Sequence, residues 1–236
     1  MNMTDHKITK PTIVIATPHA RNDSLEKNLR ERLASYEVIR LRSREDLFPE
    51  KLELLLPKFI FFPHWSWLIP EDIHTRFECV VFHMTDLPYG RGGSPLQNLI
   101  VRGHKETKLT ALRCVNELDA GSVYLKRPLS LTGTAEEILQ RASALMEEMI
   151  IEIVLNHVVP TQQQGEPVVF KRRHPEESNL APLVELEQVY DFIRMLDADG
   201  YPRAFLDTEY FHLEFSEASF GETFVDARVR IRSRSP

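Results

Sequence analysis

The chain has little cysteine, little glycine and no excess of positive charge. Two cysteines, Cys79 and Cys114, stand among 236 residues without metal-ligand spacing. A disulfide framework is therefore not expected, and a reducing compartment suits the composition. Nowhere do the apolar residues run to the roughly 18 that a membrane span needs. The longest apolar stretch, MIIEIVLNHVV at 149–159, is broken by Glu152, Asn156 and His157 and reads as a buried helix. The first ten residues, MNMTDHKITK, hold no apolar signal core. Basic side chains number 29 against 35 acidic ones, a net charge of −6. That sign speaks against a nucleic-acid partner, because phosphate binding asks for a basic face. The expectation is a cytoplasmic protein with no membrane contact and no nucleic acid; a homodimer is compatible with it.

The segments present suggest an α/β fold. PTIVIAT (11–17) is a continuous β-branched run, the pattern of a strand covered on both faces. A helix should follow, capped by Asp23 or Ser24 and burying Leu25, Leu29 and Leu33. Further strands are expected at 36–43, 58–63 and 79–84, with a helix around 50–56. Strand–helix–strand alternation implies right-handed crossovers and a Rossmann-like, mainly parallel sheet. The first strand-to-helix turn, TPHARND, has no glycine, so a dinucleotide fingerprint is missing. Ligands of open α/β sheets sit beyond the carboxyl ends of the strands. PHWSWLIP (63–70) and HMTDLPYGRGG (83–93) occupy such ends.

Strands are also expected at 107–115 and 123–131, then a helix from the Thr134/Glu137 capping box to about Val159. TQQQGEP after Pro160 reads as a flexible linker. This places a catalytic domain at 1–162 and a small α+β subdomain at 163–236, with a helix over 183–198 and short strands after it.

His83 ends an apolar strand and precedes a glycine-rich loop. That loop leads into GGSPLQNLI, where Ser94 is the expected N-cap and Pro95 the first helical residue. A core histidine bonded to a carbonyl is the simpler account of His83, and a turn residue that of Asp119. A histidine facing a carboxylate on a neighbouring strand end is the usual proton-handling arrangement. His64, His74 and His83 lack clustered carboxylates, so no metal site is expected.

These residues carry a resemblance. His83, Leu87, Pro88, Arg91, Gly92 and Pro95 follow the pattern H-x-x-x-L-P-x-x-R-G-x-x-P, which resembles the signature of the folate-dependent formyltransferases. Leu-Asp-Ala-Gly-Ser at 118–122 resembles their second signature, Leu-Asp-Thr-Gly-Asp. W-L-I-P at 67–70 resembles the segment that holds the pterin ring, largely through backbone groups. The likeness spans about 58–155. It implies N10-formyltetrahydrofolate as formyl donor, His83 and Asp119 as catalytic residues, and Trp67, Leu68, Ile69, Arg91 and Leu118 at the folate. The family usually reads Asn-x-His, its asparagine donating to the oxyanion. Val81 stands there instead, with His64 and Asn98 as candidate substitutes. Ser122 replaces the second aspartate.

The segment F-K-R-R-H-P-E-E-S (170–178) and the helix after it resemble the region following the catalytic domain in amino-sugar-nucleotide formyltransferases. Among these, the enzymes for surface-glycan or pseudaminic-acid-type precursors are most similar. This implies an amino-sugar-nucleotide acceptor. Arg173 and Arg194 could meet its pyrophosphate and Tyr201 could stack on its base. The same residues also suit a solvated linker and a packed small domain. Two other functions fit: a non-catalytic folate or sugar-nucleotide binding protein, suggested by Val81, and a formyltetrahydrofolate hydrolase.

Overall fold

A computed structural model describes residues 10–234. The continuous β-branched run forms β1 (Thr12–Ala16), buried throughout. It is followed by α1 (Asp23–Arg32), β2 (Glu37–Leu41), α2 (Pro49–Leu55), β3 (Pro57–Phe62), α3 (Glu71–His74) and β4 (Cys79–His83). Next come β5 (Tyr89–Gly92), α4 (Pro95–Val101), β6 (Glu106–Arg113), β7 (Val123–Ser130) and α5 (Ala135–Leu155). The last elements are β8 (Val168–Phe170), α6 (Leu186–Arg194), β9 (Ala204–Asp207), β10 (Phe211–Phe220) and β11 (Val225–Ser233).

A six-stranded sheet has the order β2-β1-β3-β4-β6-β7. The β1/β2, β1/β3 and β3/β4 pairs are parallel, while β4/β6 is antiparallel. The sheet is therefore mainly parallel with a reversed strand beside β4, the mixed α/β class expected. A separate antiparallel sheet, β11-β10-β9, forms the small C-terminal part. No helix of the described residues is long and apolar enough to cross a membrane.

The chain divides into two compact units. One holds the residues up to 83 together with 110–126 and 143–163; the other holds 84–109, 127–142 and 164 onward. The division thus differs from a single cut after residue 162. Within the second unit the cause is visible. β5 pairs in parallel with β8, Arg91 opposite Val169. Arg194 bonds the carbonyls of Leu131 and Gly133.

Local chemistry sets several boundaries. The expected leucines of α1 are buried, but Asn22 takes the N-cap position rather than Asp23 or Ser24. Its side chain does not cap the helix; it turns inward, and its amide donates to Thr17 Oγ1 at 2.7 Å. The Thr134/Glu137 box forms, with Thr134 N donating to Glu137 Oε2 at 2.7 Å and Glu137 N to Thr134 Oγ1 at 3.3 Å. α5 stops at Leu155, short of Val159. The segment expected as a loose linker is tied down. Thr161 and Val123 exchange backbone hydrogen bonds of 2.7 and 2.9 Å, and Gln163 fastens the loop before β7.

Candidate active site

The first unit brings His83 and Asp119 together. His83 ends β4 opposite Thr110 and is 7% exposed. Side chains alternate along a strand, so Cys79, Val81 and His83 share one face. On that face Val81 and Cys114 pack against Val14, Ala16, Ile60, Phe62 and Cys79. Asp119 Oδ2 lies 3.5 Å from His83 Nδ1, and both side chains are nearly buried. A carboxylate at Nδ1 favours the tautomer protonated there, leaving Nε2 as the working nitrogen.

Three features hold the Asp119 loop. Asp119 sits at φ 55°, a left-handed conformation that aspartate tolerates. Gln163 Nε2 donates to the carbonyls of Asp119 (2.7 Å) and Gly121 (2.9 Å). Gly121 lies so close to β6 that an added Cβ would come 1.8 Å from the Arg113 carbonyl oxygen. Burial, and secondly the charge of Asp119, push the Cys114 thiol up to about 11, so it stays protonated beside the carboxylate.

The carboxyl ends of β1 and β3 carry a buried polar chain. His64 adopts φ 52°, and its Nε2 lies 2.9 Å from Ser143 Oγ. Ser143 donates to Asn22 Oδ1 at 2.9 Å, so its oxygen accepts from His64. The turn after β1 is pinned by Arg40. Its guanidinium donates to the carbonyls of Thr17 (3.2 Å) and His19 (2.8 Å) and to Glu26 (3.0 Å). After His64, Trp65 packs edge-on against Phe62, with ring centroids 5.6 Å apart, and against Trp67 at 4.8 Å. The Trp65 indole nitrogen is buried with no hydrogen-bond partner among the described residues. Of the expected folate contacts, Ile69 packs against the core, whereas Trp67 is 38%, Leu68 81% and Leu118 57% exposed. Exposed apolar side chains at strand ends are a surface suited to a flat apolar ligand.

In the second unit, the stretch expected as a glycine-rich loop forms β5. Arg91 lies within it, half-buried. Ser94 is the N-cap of α4, but its hydroxyl accepts from Arg173 N at 3.1 Å instead of capping. Asn98, a candidate oxyanion donor, is committed elsewhere. Its amide nitrogen bonds the carbonyls of Gly93, Ser94 and Lys171 at 2.9–3.1 Å, and its oxygen accepts from Arg102 at 2.7 Å. Arg173 donates to the Glu177 carbonyl at 2.6 Å and lies over the Phe192 ring at 5.2 Å. Arg194 is 3% exposed; it bonds Asp191 at 2.6 Å as well as the two carbonyls named above. Both arginines are thus engaged in holding their own unit. A pyrophosphate role would require them to leave these partners. Tyr201 is half-buried just after Gly200.

Sequence reasoning missed Gln163, Ser143, Asn22 and Trp65. Gln163 sat in a stretch read as linker, and nothing in its neighbours marks it. Asn22 and Ser143 meet across 121 positions. Trp65 lies in the strand-end stretch 63–70, but only packing shows that its N–H lacks a partner among the described residues.

A solved structure titled methionyl-tRNA formyltransferase, from Clostridium thermocellum, is 46% identical with a TM-score of 0.92, covering 95% of this chain and all of that one. The chain belongs to the formyltransferase family. Residues 175–232 match the family described as "Methionyl-tRNA formyltransferase, C-terminal domain". Methionyl-tRNA formyltransferase of Clostridium beijerinckii is 27% identical over 190 residues, 77% of this chain and 61% of that protein. The chain spans about two fifths to three fifths of the length of the curated relatives it matches. A sugar N-formyltransferase from a Shewanella species shares the fold at a TM-score of 0.65 and 13% identity, covering 85% of this chain and 94% of that one. From residue 175 onward, the region expected to resemble amino-sugar-nucleotide enzymes falls within the match to the methionyl-tRNA formyltransferase C-terminal domain.

Proposed function

We propose that this protein transfers the formyl group of N10-formyltetrahydrofolate to a primary amine, that of methionyl-tRNA. The observation that carries the reading is the His83–Asp119 pair, 3.5 Å apart at a strand's carboxyl end, in a chain 46% identical to a structure titled with that activity. The folate, when bound, supplies an electrophilic formyl carbon. Trp67, Leu68, Ile69 and Leu118 would hold it. The exposed apolar side chains fit such a ligand, since a flat ring seated there covers them.

Attack by an amine puts negative charge on the formyl oxygen and positive charge on nitrogen. His83 Nε2 serves both changes, donating toward the oxygen when protonated and taking the amine's proton when neutral. Asp119 stabilises the charged ring and fixes its orientation. Gln163 and Gly121 set the position of Asp119.

An amino-sugar nucleotide is the second reading of the acceptor, and charge favours it. Net charge is −6. Three arginines in β11 and directly after it are paired with acidic residues of the neighbouring strands. Arg228 pairs with Glu217 at 2.9 Å, Arg232 with Glu214 at 3.3 Å and Arg234 with Asp207 at 3.9 Å. A free basic stripe is what a tRNA backbone would need. Incubation with N10-formyltetrahydrofolate and either methionyl-tRNA or a set of amino-sugar nucleotides separates the two. The readout is the mass gain of one formyl group on the acceptor. Formate release without acceptor would indicate the hydrolase instead, and folate binding without turnover a binding protein.

A further inference from the structure

The oxygen that gains charge during formyl transfer needs more than one hydrogen-bond donor, because a single neutral or cationic donor leaves much of that charge unsolvated in a closed site. His83 provides one. Val81, the preceding side chain on the same face of β4, has none to give. His64 spends Nε2 on Ser143, and Asn98 spends its amide on three carbonyls. In the first unit the indole N–H of Trp65 is buried with no hydrogen-bond partner among the described residues.

Its place suits the task. Trp65 and Val81 pack against the same core cluster, so the indole lies on the face of the sheet that carries Val81 and His83. Phe62, against which Trp65 packs at 5.6 Å, is the register partner of Val81. Trp67, packed on Trp65 at 4.8 Å, is more than a third exposed, so the aromatic pair reaches from the core cluster to solvent. Folded chains rarely leave a buried donor unpaired, and a catalytic role is one of the few accounts of such a group.

We propose that the Trp65 indole N–H is a hydrogen-bond donor to the formyl oxygen during transfer, standing in for a side-chain amide at position 81. The proposal rests on the formyl-transfer reading above. It carries an unusual signature. Trp65→Phe removes the N–H and keeps an aromatic ring, so it abolishes an unsatisfied group while removing a catalytic one. Melting temperature should be unchanged or higher, KM for both substrates should stay within about twofold, and kcat should fall about 100-fold. Val81→Asn in that background places an amide donor on the same face and should return at least tenfold of the lost rate. In the otherwise wild-type chain, Val81→Asn should give no gain.

Wild-type transfer with Trp65→Phe within threefold of wild-type kcat overturns the proposal and leaves the formyl-transfer reading standing. No transfer by wild type to any acceptor overturns both. A Trp65→Phe protein whose rate falls only in proportion to the fraction folded shows a packing role and overturns the donor role. Should that variant not fold, Val81→Asn alone decides: a tenfold or larger gain shows that no donor was in place, and the absence of a gain supports Trp65.

Discussion

Gly121 gives the sharpest test of how the site is held. An alanine there needs room for a Cβ that the Arg113 carbonyl oxygen already occupies at 1.8 Å. Real Cβ contacts essentially never fall below 3.0 Å, so one side must move by about 1 Å or more. The obstacle is backbone, and Arg113 is the register partner of Val80 in the β4/β6 pair, so β6 resists. The loop yields instead, carrying Asp119 away from His83. Overpacking against a fixed wall costs about 1–3 kcal/mol, and a backbone wall belongs at the upper end. For a chain of this size, about 3 kcal/mol lowers the melting temperature by roughly 6–12 °C. A shift of about 1 Å between paired catalytic groups costs on the order of 100-fold in rate. Thermal melts and single-turnover formyl transfer measure the two effects. Gly103→Ala is the control. That residue sits at φ +78° with nothing within 4 Å of an added Cβ, so it should cost about 1 kcal/mol of backbone strain and leave the rate alone. A Gly121→Ala protein with wild-type melting and wild-type rate would refute the account of the loop.

Three further outcomes are expected. His83→Ala should abolish turnover while folate affinity, read by fluorescence titration, changes little; near-normal transfer would remove the histidine from the chemistry. Asp119→Asn should fold and lose most activity, because an amide stabilises a charged imidazole far less than a carboxylate does; an unchanged pH–rate profile would make Asp119 only a turn residue. Arg40→Met should destabilise the protein by about 3 kcal/mol at neutral pH, by removing the buried guanidinium from Glu26 and two carbonyls. Burial raises the Glu26 pKa, but hydrogen bonds from Arg40 and Arg30 outweigh it and hold the carboxyl below the ordinary 4.5. Stability from this pairing is therefore present above about pH 4.5 and lost as pH falls through the lower folded value. Urea melts at pH 7 and pH 3 should show a smaller acid-side loss in Arg40→Met than in wild type.

What the sequence disclosed was the local information. β1 was legible because its apolar run is continuous, and α5 because Thr134 and Glu137 stand at capping-box spacing. Parallel topology followed from alternation. What stayed hidden depends on contacts between distant segments. The arginines chosen for a phosphate, Arg173 and Arg194, have the right chemistry, yet the carbonyls of Glu177, Leu131 and Gly133 already use it. Glycines at 90–93 suggested a loop, but Val168–Phe170 supplies a parallel strand partner and makes it β5.

With Trp65 as the donor proposed above, the site would depart from its family's pattern in sequence and keep its chemistry in space. Position 81 lies on a strand inside the core cluster, where a valine packs against Val14, Ile60 and Phe62 and an asparagine would bury an amide among them. That amide costs about 1–3 kcal/mol if nothing answers it. An indole N–H brought to the same face from the β3 end carries its donor on a large apolar body, which packs on Phe62 and Trp67 whether or not ligand is bound. The donor then comes with packing rather than against it. A sequence pattern that asks for asparagine two residues before the histidine reads this exchange as a loss, because the replacing residue lies sixteen positions upstream of Val81 on a different strand end.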